Sequence, residues 1–194
     1  MKNILLLPLL LAVACAAEST WSSVSAPEAE LATDARFETA VAIKTEMVAG
    51  LTAKLGAAVK AGGASGAIEV CKSVAPAAAK KMGEAKGARV GRTSFRLRNP
   101  GNRAPAWLAE TVAEAGAASM APKADGQPLA WRGPAGELGV AFPLPLQAKC
   151  LACHGPKSGI AESTQAALNA SYPGDEATGF SEGDLRGWLW VELP

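Results

Sequence analysis

The chain has 194 residues, which, less a leader, suits one domain with a real core and is too short for two comfortable ones. Its 19 Lys and Arg stand against 18 Asp and Glu with the two signs interleaved, so the net charge of +1 excludes a polyanion-binding surface and argues against a nucleic-acid partner.

Met1-Lys2-Asn3 followed by the apolar run 4–14 and the small residues Ala12-Val13-Ala14-Cys15-Ala16-Ala17 has the layout of an export signal over residues 1–16. A permanent span would need about 20 apolar residues, so the run predicts export to the periplasm and not a membrane helix. Cys15 stands where a lipoprotein signal carries its acylated cysteine, although Ala12 replaces the leucine usual three residues earlier. Two outcomes follow: a lipid anchor through Cys15, or ordinary cleavage after Ala14 or Ala16 with release of the protein.

Residues 17–27 are rich in Ser, Thr and Ala without an apolar period and predict a flexible tether, leaving 28–194 as a single domain. Pro27 then opens a long helix over 28–60, with Leu31, Val41, Met47, Leu51, Leu55 and Val59 recurring at helical spacing. Gly62-Gly63 ends it. A second helical segment, 64–74, carries Cys71 on its inward side, is interrupted by Pro76, and resumes over 77–84. Residues 88–98 predict a strand with Arg92, Arg96 and Arg98 on one face, which is either a solvated sheet face or, through Arg92 and Arg98, a source of partners for anionic groups.

A turn at 99–102 leads to a helix from Pro105 that stops at Gly116. Residues 129–132 and 138–142 predict a hairpin about Gly133-Pro134-Ala135-Gly136. A helical stretch over 160–169, a glycine-punctuated loop and a terminal strand over 187–193 complete the chain. These elements make an α+β fold, with a largely antiparallel sheet of about four or five strands, a long N-terminal helix and several short ones.

Between the hairpin and the last helix lies Cys150-Leu151-Ala152-Cys153-His154, the C-x-x-C-H attachment box of c-type haem. The chemistry needs those residue types at that spacing. Two thiols add across the porphyrin vinyl groups as thioethers, and the adjoining imidazole reaches the iron. A thioredoxin-like pair would follow a buried strand of a parallel sheet, and no such pattern precedes Cys150. Structural zinc would need four ligands, yet there is no second C-x-x-C and His154 is the sole histidine. A disulfide at this spacing is awkward and leaves His154 unexplained. Haem c, covalently held by Cys150 and Cys153 with His154 as iron ligand, is the reading retained, and export supports it because such haem is attached after translocation.

With one histidine, bis-histidine ligation is excluded. The residues alone leave Met47, Met82, Met120, the Cys71 thiolate, a lysine or no protein ligand for the opposite side of the iron, and composition puts methionine first. Packing accounts for each methionine equally well, and Cys71 can be a small buried hydrophobe, although a solitary thiol is a liability in an oxidising compartment.

The blocks from Ala67 through Glu69, Cys71 and Pro76, from Val90 through Arg92, Phe95 and Arg98 to Pro100, the C-x-x-C-H box, and Tyr172-Pro173-Gly174-Asp175 through Gly187-Trp188-Leu189-Trp190 resemble a family of bacterial single-haem domains. That family, long catalogued as of unknown function, has a PAS-like fold and occurs alone or as a sensory input. The resemblance covers nearly the whole exported portion. It implies His/Cys axial ligation, with Cys71 opposite His154, and a role in redox or ligand sensing through a separate signalling or redox protein. Electron transfer between periplasmic partners is the alternative. Catalysis at the iron would need acid-base groups that the chain hardly supplies, so no enzymatic role is expected.

Overall fold

The computed structural model describes residues 20–118 and 120–194. The export signal, Cys15 and the first residues of the expected tether lie outside them. The elements run β1 (Ser22–Val24), α1 (Pro27–Glu30), α2 (Ala35–Gly66), α3 (Ala75–Lys86), β2 (Arg89–Thr93), α4 (Ala106–Ala117), β3 (Leu129–Arg132), β4 (Leu138–Pro145), α5 (Leu151–His154), α6 (Glu162–Ser171) and β5 (Leu185–Leu193). The fold is α+β, and its one sheet is five-stranded, antiparallel throughout, in the order β1-β3-β4-β5-β2.

Side-chain alternation divides that sheet into two packed faces. Leu138, Val140 and Phe142 of β4 and Leu189, Val191 and Leu193 of β5 point one way, onto Phe37, Ala40, Ile43 and Met47 of α2 and Ala79 of α3. Each large side chain so buried contributes about 1.5–3 kcal/mol. The intervening Ala141, Trp188 and Trp190 point the other way, under Trp107 and Leu108 of α4. Gly139 is required there: a Cβ on it would lie 2.9 Å from the Trp107 ring.

The expected long helix is divided at its start. After α1 and a turn, Asp34 restarts the chain by accepting the Arg36 N–H at 2.9 Å, the N-cap that begins α2. Gly62 and Gly63 break the helical path where expected, Gly63 with φ +67°. Pro76 does not interrupt. It falls in the first turn of α3, where a missing N–H is harmless, and a five-residue π-helical turn, Val70–Val74, feeds into it.

Two expectations are corrected. Residues 17–27 are not all tether, because Ser22, Ser23 and Val24 pair with Arg132, Trp131 and Ala130 as an edge strand. The strand expected over 88–98 stops at Thr93: Ser94 Oγ donates to the Arg186 carbonyl at 2.7 Å and accepts the Arg96 N–H at 3.0 Å, which bends the chain out of the ladder. Arg96 and Arg98 therefore do not share a strand face with Arg92.

At the far end of β5 the pairing is irregular. Pro143 pairs with Trp188 and Pro145 with Leu185, so Arg186 and Gly187 together oppose the single residue Leu144. This is a β-bulge, with Gly187 at φ +144°. The extra residue reverses the alternation: Leu185 joins Trp188 in the aromatic cluster, and Arg186 is delivered to the opposite side.

Candidate functional site

A short 3-10 turn, Ala148–Cys150, runs directly into α5, so Cys150, Cys153 and His154 share one tight helical stretch with the two thiols at i and i+3 on one side. All three described cysteines, Cys71 included, are free and half-buried. Burial pushes the Cys153 thiol up, with the Arg98 guanidinium opposing, so it is a protonated thiol at neutral pH.

His154 Nδ1 lies 2.8 Å from the Ala177 carbonyl, an acceptor only, so Nδ1 carries the proton and Nε2 keeps its lone pair. Arg186 Nε is 3.3 Å from the same Nδ1. Because that nitrogen is donating, this approach is a contact of a cation with the ring and not a second hydrogen bond. Burial, followed by the charges of Arg186 and Arg98, holds the imidazole pKa well below its ordinary value. The ring is thus neutral, oriented by a backbone acceptor and ready to bind a metal.

Arg98 fixes this stretch to the rest of the fold. Its guanidinium donates to Asp175 Oδ2 at 3.0 Å, the Cys153 carbonyl at 2.6 Å and the Ala177 carbonyl at 3.3 Å, and both ion-pair side chains are 8% exposed. Asp175 Oδ1 accepts the Ala177 N–H at 2.8 Å. The peptide groups of Gly179 and Phe180 donate to the carbonyls of Gly155 and His154, so loop 175–180 is strapped along the box.

His154 also lines a cavity of about 110 Å³, whose lining includes Cys71, Arg92, Thr93, Tyr172 and Arg186. Cys71 reaches it from the π-helical turn. Tyr172 is buried beside it, its hydroxyl pKa raised by burial and then by Cys71. Burial and the charges of Arg98 and Arg92 push Arg186 down to about 10, which leaves it a cation at neutral pH.

The structure therefore brings together Cys150, Cys153, His154 and Cys71, the four residues singled out from the sequence. It does not bring the methionines: Met47 is buried in the α2 core, Met82 packs against that core, and Met120 is 79% exposed. Arg98, expected to be open for an anion, is committed to Asp175 and two carbonyls, while Arg186, which the sequence reading passed over, stands at the cavity. Among the described residues no three His, Cys, Asp or Glu side chains converge on a metal-ion cage.

A model of the Tll0287-like family matches residues 15–194. The chain belongs to the Tll0287-like family. Among solved structures, the crystal structure of the cyanobacterial haem-protein Tll0287 is 25% identical, with 63% of this chain and 70% of that chain covered at a TM-score of 0.45. No curated protein matches. In this Tll0287-like chain the family match spans every residue of the cavity as well as the C-x-x-C-H box.

Proposed function

We propose that this chain is an exported c-type haem protein whose iron is held between His154 and Cys71 and which acts in redox or ligand sensing. The observation that carries the reading is the shared cavity of Cys71 and His154 immediately beside the two box thiols. Its family is named for Tll0287, a cyanobacterial haem-protein. The donor set fits the group: two free thiols at i and i+3, a neutral imidazole with an open Nε2, and a third thiol on the cavity wall. When bound, haem supplies an iron that changes oxidation state and exchanges axial ligands.

The chain's own residues do the rest. Cys150 and Cys153 each add their sulfur to one vinyl carbon and their hydrogen to the other. Ala177 keeps the His154 proton on Nδ1 so that Nε2 faces the iron, and Arg98 holds the box helix against loop 175–177. A Cys71 thiolate stabilises the ferric state.

Sensing is favoured by where Cys71 sits. The π-helical turn between α2 and α3 is an irregular segment, and π-turns recur where function requires local rearrangement. Were Cys71 to hold the iron in only one oxidation state, this turn would be the segment that responds, and a separate signalling protein would read the change. The second reading is electron transfer with a redox partner, supported by the box thiols being only half-buried, so that a haem held by them would be reachable by a partner. We assign no enzymatic role. The proposed location is the periplasm, with Cys15 as a possible lipid anchor that an intact mass of the purified chain identifies.

Absorbance and EPR in both oxidation states separate these readings. The wild-type ferric protein is expected to be low-spin with thiolate character. Cys71→Ala abolishes that signal and Met47→Ala leaves it; an unchanged low-spin signal in Cys71→Ala refutes the thiolate ligand. Carbon monoxide or nitric oxide binding to the reduced wild type supports sensing, and retained six-coordination without gas binding supports electron transfer.

A further inference from the structure

Of the three arginines around the cavity, one is neutralised. Arg98 takes both its charge partner and its acceptors from Asp175, Cys153 and Ala177, and Asp175 has its second oxygen occupied by the Ala177 N–H. Among the described residues neither Arg92 nor Arg186 has a carboxylate within 4.0 Å. Arg186 donates only to the Arg96 carbonyl, at 3.2 Å, and its Nε lies against an imidazole nitrogen that cannot accept. The bulge in β5 is what turns Arg186 into the cavity at all. Two part-buried cations without counter-ions are costly unless an anion completes them.

We infer that Arg92 and Arg186 form a paired carboxylate seat that receives the two propionates of the haem. The inference rests on the haem reading above. It explains why the strand is bulged where Arg186 enters the cavity. Guanidinium forks match carboxylates two bonds at a time, so the seat also sets how the macrocycle is turned between His154 and Cys71. A dicarboxylate from solution offers the same chemistry.

Resonance Raman spectra and ferric/ferrous potentials of the holoprotein test this, with Arg186→Gln, Arg92→Gln and Arg186→Lys compared with wild type and with Arg103→Gln, which lies outside the cavity. Each glutamine variant at 92 or 186 is expected to shift a propionate bending band and to favour the ferric state about tenfold, about 59 mV for one electron. Arg186→Lys keeps the charge and hence the potential but moves the band, because the fork is lost, and it carries the test if Arg186→Gln does not fold. Arg103→Gln changes neither. Propionate bands that superimpose on wild type in both glutamine variants overturn the seat. So does a saturable shift of the wild-type potential by added succinate that Arg92→Gln abolishes, since that makes the seat open to solutes. A wild-type protein without thioether-linked haem defeats the haem reading itself and is recognised before any variant is compared.

Discussion

From Trp188 to Leu193, β5 alternates without interruption, one face under α4 and the other over α2 and α3, and apart from Glu192, held by Arg89 and the Trp107 indole N–H, its side chains pack in apolar clusters. Immediately before Trp188 the same strand gains a residue over β4, and the groups around Arg186 are His154, Arg92, Arg98 and Asp175. One strand thus serves two ends with opposite physical character. The regular end lowers free energy by keeping water out. The bulged end keeps charges inside, at a cost that falls only when every charge is held by a partner. The candidate site sits where the regularity fails.

Breaking the charged end has the largest expected effect. Arg98→Ala leaves the Asp175 carboxylate buried beside the box helix without its cation, and is expected to destabilise the protein by about 3–5 kcal/mol in urea unfolding. It also releases the Cys153 and Ala177 carbonyls, so the ferric spectrum should change together with stability. If the protein loses stability with an unchanged spectrum, Arg98 is a fold residue only, and the clamp does not orient His154.

The regular end provides the contrast. Leu138 is fully buried between β4 and α2, and Leu138→Ala removes its methyl groups and leaves a cavity worth about 3 kcal/mol. Here the expectation is a lowered unfolding midpoint with spectrum and potential unmoved. A spectral change in Leu138→Ala would mean that the two ends are mechanically coupled and that the comparison drawn along β5 fails.

The same contrast governs what could be read from sequence. The hairpin of β3 and β4, the aromatic face of β5 and helix α4 follow from apolar periodicity, because at the regular end period and burial are one fact. The box and Cys71 were legible from chemistry and family resemblance, not from pattern. Arg186 was not legible: strict alternation puts it with Trp188 and Trp190, and only the bulge opposite Leu144 moves it to the other face. Arg98 misled for a related reason. Its place beyond Thr93 depends on the Ser94 side chain bending the chain, a local hydrogen bond that competes with the ladder. The strand Ser22–Val24 was hidden because an edge strand this short is held by backbone pairing to β3, and its serines carry no apolar signal.

The smallest expected effect lies at the outer margin of the regular end. Asp34 caps α2 through the Arg36 N–H and pairs with the Arg36 guanidinium at 2.9 Å, and Arg36 in turn donates to the Gly136 carbonyl of the hairpin turn at 2.6 Å. The Arg36 hydrogen bond, against the opposing effect of burial, holds the Asp34 carboxyl below its ordinary value. In Asp184 burial again opposes, and Lys123 and the Ser181 N–H prevail. A carboxyl whose folded pKa is depressed contributes stability that is complete above the unfolded value and disappears as pH falls through the folded one. Asp34→Ala should therefore cost about 1 kcal/mol at neutral pH. The gap from wild type should close as pH falls below about 4, because the protonated wild type has lost the ion pair as well. If the gap stays constant to low pH, the capping bond to the Arg36 N–H accounts for all of it, and the ion pair at this margin contributes no stability. This margin would then rest on its backbone cap alone, in contrast to the bulged end, where Arg98 and Asp175 are buried as a pair.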